Sequence, residues 1–311
     1  MDTCALSKIY GFSIKSCREV TGGWSAAAHV LHTDRGRFFL KIYDKHRPTS
    51  QQWINRIDGY MPLLLRLNEN AALRGRIPRP VLTSSGEYKH EDERFIYLLS
   101  HDIDGETIAK SRLDGAQIEE LAGILAALHS LRPPGPESLE IPKEDFDIAF
   151  CEEIAAFSQN PNADNTMTEI LSRYSGKIFE KTLKINALAQ RLKAAPQKFV
   201  LCHTDVHGWN LMQAQRLHLI DWEGVRFAPP EADLFVFTKD FFFDYASDDF
   251  MKYYSNLTGG FVPNTDAMEF YRLRRRLEDI HDFAASLLHD ELDDAVRGES
   301  LFHLENECSL L

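Results

Sequence analysis

The sequence has few cysteines, and their spacing is uninformative. There are five, with no C-x-x-C pair among Cys4, Cys17, Cys151, Cys202 and Cys308. An odd, widely spaced set predicts neither a disulfide framework nor a zinc site. Free thiols of this kind are typical of a reducing compartment.

Long apolar runs are also missing, as is an excess of positive charge. Runs such as Phe241–Phe243 are far too short to span a bilayer, and residues 1–8 lack the basic-then-apolar pattern of a secretory signal. The formal net charge of −12, from 35 basic and 47 acidic residues, repels nucleic-acid backbones. We therefore expect a cytoplasmic protein without a membrane or nucleic-acid partner.

What is present is ordinary globular composition, with 44% hydrophobic and 26% charged residues in 311. Extended runs dominate the first hundred residues and include a predicted hairpin with its turn at Asp34–Gly36. Residues 51–67 form the one predicted helix there, and Pro62 is expected to break it or to lie near its start. Helical periodicity dominates after residue 100, as in residues 117–131 and 271–288. The pattern predicts an α+β fold with a small β-rich lobe, residues 1–100, and a larger helical lobe, residues 101–311.

A polar loop between two apolar strands carries the strongest chemical signal. It reads HTDVHGWN at residues 203–210, and IDWE follows at residues 220–223. Phosphoryl transfer needs an Asp to orient the attacking hydroxyl and accept its proton, and an Asn and a second Asp to hold Mg²⁺. Asp205, Asn210 and Asp221 fit these three roles; the alternative is a polar hairpin loop without chemistry.

These segments resemble the aminoglycoside phosphotransferase and choline kinase superfamily, small-molecule relatives of the protein kinases. The loop at 203–210 matches the family's catalytic loop, residues 220–222 match its metal-binding segment, and residues 228–234 resemble the following stretch, whose Asp supports the loop. Within the family the chain looks most like spectinomycin phosphotransferase. The resemblance implies a bilobal protein-kinase-like fold that uses ATP and Mg²⁺.

The nucleotide half of the predicted site begins in the β-rich lobe. Lys41 lies on a strand, where it would reach the α and β phosphates, and Gly22, Gly23 and Ser25 form a turn that would cover them. An exposed strand lysine and an ordinary hairpin turn are the competing interpretations. The kinase lysine normally pairs with a helix Glu, but there is no Glu from Ile42 to Leu67.

Two further expectations concern the nucleotide. Asp58 is predicted to replace the missing helix Glu; otherwise Lys41 has no stable partner before nucleotide binds. Residues 98–101 are predicted to form the hinge, so that the backbone of Leu99 and His101 meets the adenine edge.

The acceptor half of the site is predicted on the closing helix. Tyr271, Arg275, Glu278 and Asp282 form one polar stripe at helical spacing, with Asp279 beside it. Glu278, Asp279 and Asp282 would bind the ammonium groups of an aminocyclitol. The competing interpretation is a solvated helix face with intrahelical Arg–acid pairs.

Three functions remain distinct at this point. The first is an ATP-dependent kinase for a small cationic molecule with hydroxyl groups, an aminoglycoside or aminocyclitol such as spectinomycin. The second is a metabolic kinase for choline or an amino sugar. The third is a nucleotide-binding pseudokinase, which the missing helix Glu keeps open although Lys41 and the loop residues are retained.

Overall fold

The computed structural model describes residues 3–20, 26–131 and 140–311. The N-terminal region is built on an antiparallel sheet of five strands in the order β1-β2-β3-β5-β4. The strands are β1 (Ile14–Val20), β2 (Ala27–Thr33), β3 (Gly36–Asp44), β4 (His90–Glu91) and β5 (Phe95–His101). The turn predicted at Gly22, Gly23 and Ser25 lies outside the described residues.

Alternation along β3 decides which way its side chains face. Phe38, Leu40 and Ile42 pack in a small apolar core on one side of the sheet, whereas Tyr43 belongs to the large core on the other. Lys41 shares the face of Tyr43, because neighbouring strand residues point to opposite faces. The predicted position of Lys41 on a strand is confirmed.

Three helices accompany the sheet: α1 (Thr3–Tyr10), α2 (Gln51–Ile54) and α3 (Ile57–Leu67). The helix predicted over residues 51–67 is therefore split. The interruption falls at residues 55–56, and Pro62 lies inside α3. The prediction that Pro62 breaks the helix or lies near its start is wrong.

The C-terminal region is mainly helical. Its helices are α4 (Gly115–His129), α5 (Phe150–Phe157), α6 (Asn165–Ala194), α7 (Glu231–Leu234), α8 (Ser247–Leu257), α9 (Thr265–His289) and α10 (Asp294–Ser309). Its short strands are β6 (Glu106–Thr107), β7 (Val200–Cys202), β8 (Leu211–Gln213), β9 (Leu217–Leu219) and β10 (Arg226–Ala228). β7 pairs with β10, and β6, β8 and β9 form a second small sheet.

One large apolar core joins the two regions. It contains Ile57 and Leu64 of α3 together with Leu121 of α4, Leu201 of β7 and Leu277 of α9. The helix α3 is thus anchored on the C-terminal region, and a boundary near residue 100 divides the elements but not this core. In the described part of the chain, none of the helices is both long and apolar enough to cross a membrane.

Candidate active site

The catalytic loop predicted from the sequence runs from the end of β7 to a 3₁₀ turn at Gly208–Asn210. The Asn210 amide nitrogen donates to Asp205 Oδ2 at 2.7 Å and to the Asp205 carbonyl oxygen at 2.9 Å. Oδ1 of Asp205 lies 3.3 Å from His207 Nε2 and also accepts a hydrogen bond from Arg275 Nη1 of α9. Both carboxylate oxygens therefore have partners, and Asp205 and Asn210 lie together as predicted.

The charge state of Asp205 follows from these contacts. Burial opposes ionisation, but the neighbouring His207 and Arg275 outweigh it and hold the pKa of Asp205 well below its usual range. Asp205 is consequently ionised at neutral pH, the state in which a carboxylate accepts a proton.

A buried carboxylate holds the loop from behind. Asp233, whose exposed fraction is 0%, accepts hydrogen bonds from His203 N at 2.9 Å and Thr204 N at 2.5 Å, and its Oδ2 lies 2.9 Å from His129 Nε2. Thr204 has a positive φ of 71°, and its hydroxyl donates to Gly224 O at 2.8 Å. Asp233 is the supporting Asp that the family resemblance implied.

One trio of metal-ligating side chains lies close together within the described ranges: His129, Cys202 and Asp233, with ligand atoms within 4.8 Å of one another. Each is already engaged, since the Cys202 thiol donates to carbonyl oxygens and His129 Nδ1 lies 2.7 Å from Tyr254 OH. We interpret this cluster as the support of the catalytic loop. His203 has a similar role, with Nε2 at 2.9 Å from Ile220 O.

The predicted nucleotide side of the site contains Lys41 and the segment after β9. Lys41 Nζ lies 2.7 Å from Asp221 Oδ1 and 2.5 Å from Glu223 Oε1, and Tyr43 OH donates to the same Glu223 oxygen. Burial favours neutral lysine, but Asp221 and Glu223 outweigh it and raise the pKa of Lys41. The lysine therefore remains a cation and does not lack a partner.

The expectation that Asp58 replaces the helix Glu is wrong. Its side chain is 60% exposed and binds Lys89 Nζ at 2.6 Å and Tyr88 OH at 3.1 Å. Asp58 lies in the first turn of α3 on its outer surface, whereas the partners of Lys41 come from the C-terminal region. Glu223, two residues after Asp221, supplies the carboxylate that the sequence analysis sought on the helix.

The predicted adenine contact at Leu99 and His101 stays a prediction. The Leu99 carbonyl accepts from Val81 N at 2.8 Å, and His101 N donates to Arg79 O at 2.9 Å. These outward backbone groups are therefore occupied by a neighbouring segment of the chain. The chain crosses between the two regions just beyond them, at residues 102–105.

On α9, two of the predicted acceptor carboxylates are paired within the helix. Arg274 Nε lies 2.7 Å from Glu278 Oε1, and Arg275 Nε lies 2.9 Å from Asp279 Oδ2. These are the intrahelical pairs of the competing interpretation. Because Arg275 also binds Asp205, the stripe nevertheless belongs to the site and is more than a solvated face.

Asp279 and Asp282 differ in burial and in their contacts. Burial raises the pKa of Asp279 to about 7, with Arg275 acting in the opposite direction. Asp282 is half exposed, and its Oδ1 lies 3.0 Å from His281 Nδ1. Through Arg275, Asp279 is connected to the catalytic loop; the contacts of Asp282 lead to α5 through His281 and Glu153.

Comparison with known proteins identifies the architecture. Residues 16–271 match the model of the phosphotransferase enzyme family, APH. The chain belongs to this family. It is 23% identical to Protein StrN of Streptomyces griseus over 256 residues, which cover 77% of this chain and 74% of the relative.

Solved structures show the same fold. Spectinomycin phosphotransferase APH(9)-Ia, in complex with ADP and spectinomycin, has a TM-score of 0.78 at 19% identity, over 99% of this chain and 95% of that one. Choline kinase LicA from Streptococcus pneumoniae has a TM-score of 0.60 at 16% identity, over 95% and 94% of the two chains. The predicted protein-kinase-like fold and phosphotransferase class are confirmed.

Two contacts of this phosphotransferase were missed by sequence reasoning. Glu223 belongs to the motif at residues 220–223 but had no predicted role. It lies two residues after Asp221, and both carboxylates are beside Lys41. Arg275 was placed on the polar stripe, but its contact with Asp205 joins residues 70 positions apart and has no local signal.

Proposed function

We propose that this phosphotransferase transfers the γ-phosphoryl group of ATP to a hydroxyl group of a small cationic molecule, with aminocyclitols such as spectinomycin as the preferred acceptor class. The observation that carries the proposal is the ionised Asp205, held between Asn210 and Arg275. The protein-kinase-like fold and the family membership support it.

Residues of the nucleotide half fit ATP with Mg²⁺. Ile220 N donates to Asn210 O at 2.9 Å, which joins the segments that carry Asn210 and Asp221. Their amide and carboxylate oxygens are the hard ligands that Mg²⁺ prefers, and Asp221 has a positive φ of 67° that fixes its position. These two residues would hold the metal, which would neutralise phosphate charge, while Lys41 binds the phosphates.

The reaction balances with Asp205 as the proton acceptor. The acceptor oxygen forms a bond to the γ-phosphorus as the bond from that phosphorus to the β–γ bridging oxygen breaks. The hydroxyl proton passes to Asp205, and ADP leaves with the electron pair of the broken bond. Such catalysis consists of positioning and charge stabilisation.

Two carboxylates of α9 beside the catalytic loop favour a cationic acceptor. Asp279 is linked to Asp205 through Arg275, and Glu278 lies one residue before it. Desolvated charge-assisted hydrogen bonds contribute about 1.5–3 kcal/mol each, which is enough to select amines from neutral polyols.

A second candidate is a choline or amino-sugar kinase. Its support is the fold shared with choline kinase and two exposed aromatic residues at the loop. Trp209 is 56% exposed, and Phe242, 43% exposed, lies 5.6 Å from the His207 ring. Aromatic faces bind quaternary ammonium groups through cation–π contacts. A pseudokinase is disfavoured, since Lys41 has two acidic partners.

An acceptor panel tests these proposals. ADP release would be measured with Mg-ATP and spectinomycin, other aminocyclitols, hygromycin, choline, amino sugars or no acceptor. Signal with spectinomycin or another aminocyclitol supports the proposal. Signal with choline or an amino sugar alone supports the second candidate, a metabolic kinase. ATP binding without turnover of any acceptor would contradict both.

Variants show whether the site described above performs the reaction. Asp205→Ala should lower turnover about 10²–10⁴-fold, the range for loss of a general base, while ATP affinity by calorimetry changes little. Asp58→Ala is the matched control, because Asp58 is an exposed aspartate outside the site. A folded Asp205→Ala protein with unchanged turnover would overturn the assignment.

A further inference from the structure

Arg275 occupies the carboxylate that the reaction needs. Its Nη1 donates to Asp205 Oδ1, and its Nε donates to Asp279 Oδ2 at 2.9 Å. The side chain is three-quarters buried between these two carboxylates. The guanidinium thus bridges the catalytic loop and α9.

The contact leaves little room on Asp205. Oδ1 faces two partners, Arg275 and His207, and Oδ2 accepts from Asn210. A carboxylate oxygen has two lone-pair directions, so Oδ1 has none free and Oδ2 has one. A hydroxyl group or a water molecule that donates to Oδ1 must first displace one of these partners.

Arg275 has somewhere to go when it leaves Asp205. Asp279 remains bound to its Nε, so the guanidinium keeps a hydrogen-bond partner. A cavity of about 50 Å³ also lies between the loop and α9, with Thr204, Arg275 and Glu278 in its lining. The displaced guanidinium therefore has both a hydrogen-bond partner and space beside it.

We propose that Arg275 is a gating residue: without acceptor it covers Asp205 and prevents transfer to water, and the acceptor's cation takes its place. This inference rests on the proposed function. A neutral water offers no charge in exchange for a charge-assisted hydrogen bond, which is about twice as strong as a neutral one. An ammonium group replaces one cation with another, so the gate opens for a cationic acceptor.

The test measures hydrolysis in the absence of any acceptor. In that reaction a water oxygen bonds to the γ-phosphorus, the bond to the bridging oxygen breaks, the water proton passes to Asp205, and ADP and inorganic phosphate are released. With Mg-ATP alone, Arg275→Ala should release phosphate at least 10-fold faster than wild type. The increase should vanish in the Arg275→Ala/Asp205→Ala double variant.

Arg272→Ala is the matched control. Arg272 lies on the same helix and pairs with Glu269 at 2.7 Å, in an ion pair outside the site. Its removal should leave hydrolysis at the wild-type rate. If Arg275→Ala does not fold, Arg275→Gln retains the size and polarity of the side chain without its charge, and the same increase is expected.

Hydrolysis by a folded Arg275 variant at or below the wild-type rate would overturn the gate, even if wild type phosphorylates spectinomycin. If wild type phosphorylates none of the acceptor panel, the proposed function fails instead. In that case the hydrolysis comparison still decides the gate, because it needs only ATP and Mg²⁺.

Discussion

Replacing Asp233 by Asn tests how the catalytic loop is held. The substitution keeps the size of the side chain and removes its charge. Asp233 Oδ1 accepts from Thr204 N, while Oδ2 accepts from His203 N and faces His129. An amide has one oxygen, so at least one donor would face an NH₂ group.

The expected loss of stability is large because Asp233, His203 and His129 are buried. A hydrogen bond to a charged group contributes about 1.5–3 kcal/mol, and removal of one member of a buried polar pair costs about 3–5 kcal/mol. In Asp233→Asn one bond is lost and the others weaken, so we expect the free energy of unfolding to fall by about 3–5 kcal/mol. Thr204, held at positive φ by Asp233, would relax and move Asp205.

Denaturant unfolding and ADP release give two readouts. Asp233→Asn should lower both the free energy of unfolding and turnover, by more than 10-fold for the latter, with less effect on ATP affinity. Asp58→Asn, the same chemical change at an exposed ion pair, should cost less than about 1 kcal/mol. A loss below about 1 kcal/mol for Asp233→Asn, with normal turnover, would refute the account of the loop.

Three further predictions concern the same region. Gly208→Ala places a Cβ 1.9 Å from Ala109 O, so we expect at least 10-fold lower turnover and a lower melting temperature; wild-type values for both would contradict the steric argument. Asp221→Ala should abolish the Mg²⁺-dependent part of nucleotide binding, measured by calorimetry with Mg²⁺ and with EDTA; equal Mg²⁺ dependence in variant and wild type would exclude Asp221 as a ligand. The pKa of Asp279, raised from its usual 3.8 to about 7, makes its ionisation unfavourable in the folded state. Its contribution to stability is therefore full below pH 3.8 and is lost as the pH rises to about 7, by at most about 1.4 kcal/mol per pH unit. Asp279→Asn should remove this slope, measured by unfolding at several pH values, and an unchanged slope would show that other groups cause it.

The catalytic loop could be predicted because its residues are close in sequence. The spacing of Asp205 and Asn210 fixes one turn, and the apolar runs on both sides fix its flanks. The strand position of Lys41 was equally predictable, since alternation along β3 decides which face of the sheet a residue occupies. For such features local physics and the final structure agree.

The ion-pair partners could not be predicted in the same way. Asp58 and Glu223 are both acids, and which of them meets Lys41 depends on how the two regions pack. α3 turns Asp58 toward Lys89 at the surface, while Glu223 is buried beside Lys41. Lys41 and Glu223 are 182 positions apart in the sequence, so their pairing is determined by the tertiary structure.

The surroundings of the predicted hinge could not be predicted for a related reason. The sequence predicts residues 98–101 as the hinge, but not the segment that pairs with their outer edge. Residues 79–81, which include Pro80, occupy that edge. A proline-containing loop gives little local indication of such a bridge.

The crossing segment is attached to both regions, and this restricts where the chain tolerates rearrangement. On one side Arg37 Nη1 of β3 binds Asp104 Oδ1 at 2.7 Å; on the other, β6 pairs with β8, and a Cβ at Gly105 would lie 2.4 Å from Gln213 O. Residues 102–105 thus connect the two regions and also hold them together. New termini from circular permutation, or an inserted domain, should be accepted at exposed turns such as Gly259–Gly260. They should be rejected between residues 101 and 108, where they would break the attachment of this segment to the two regions.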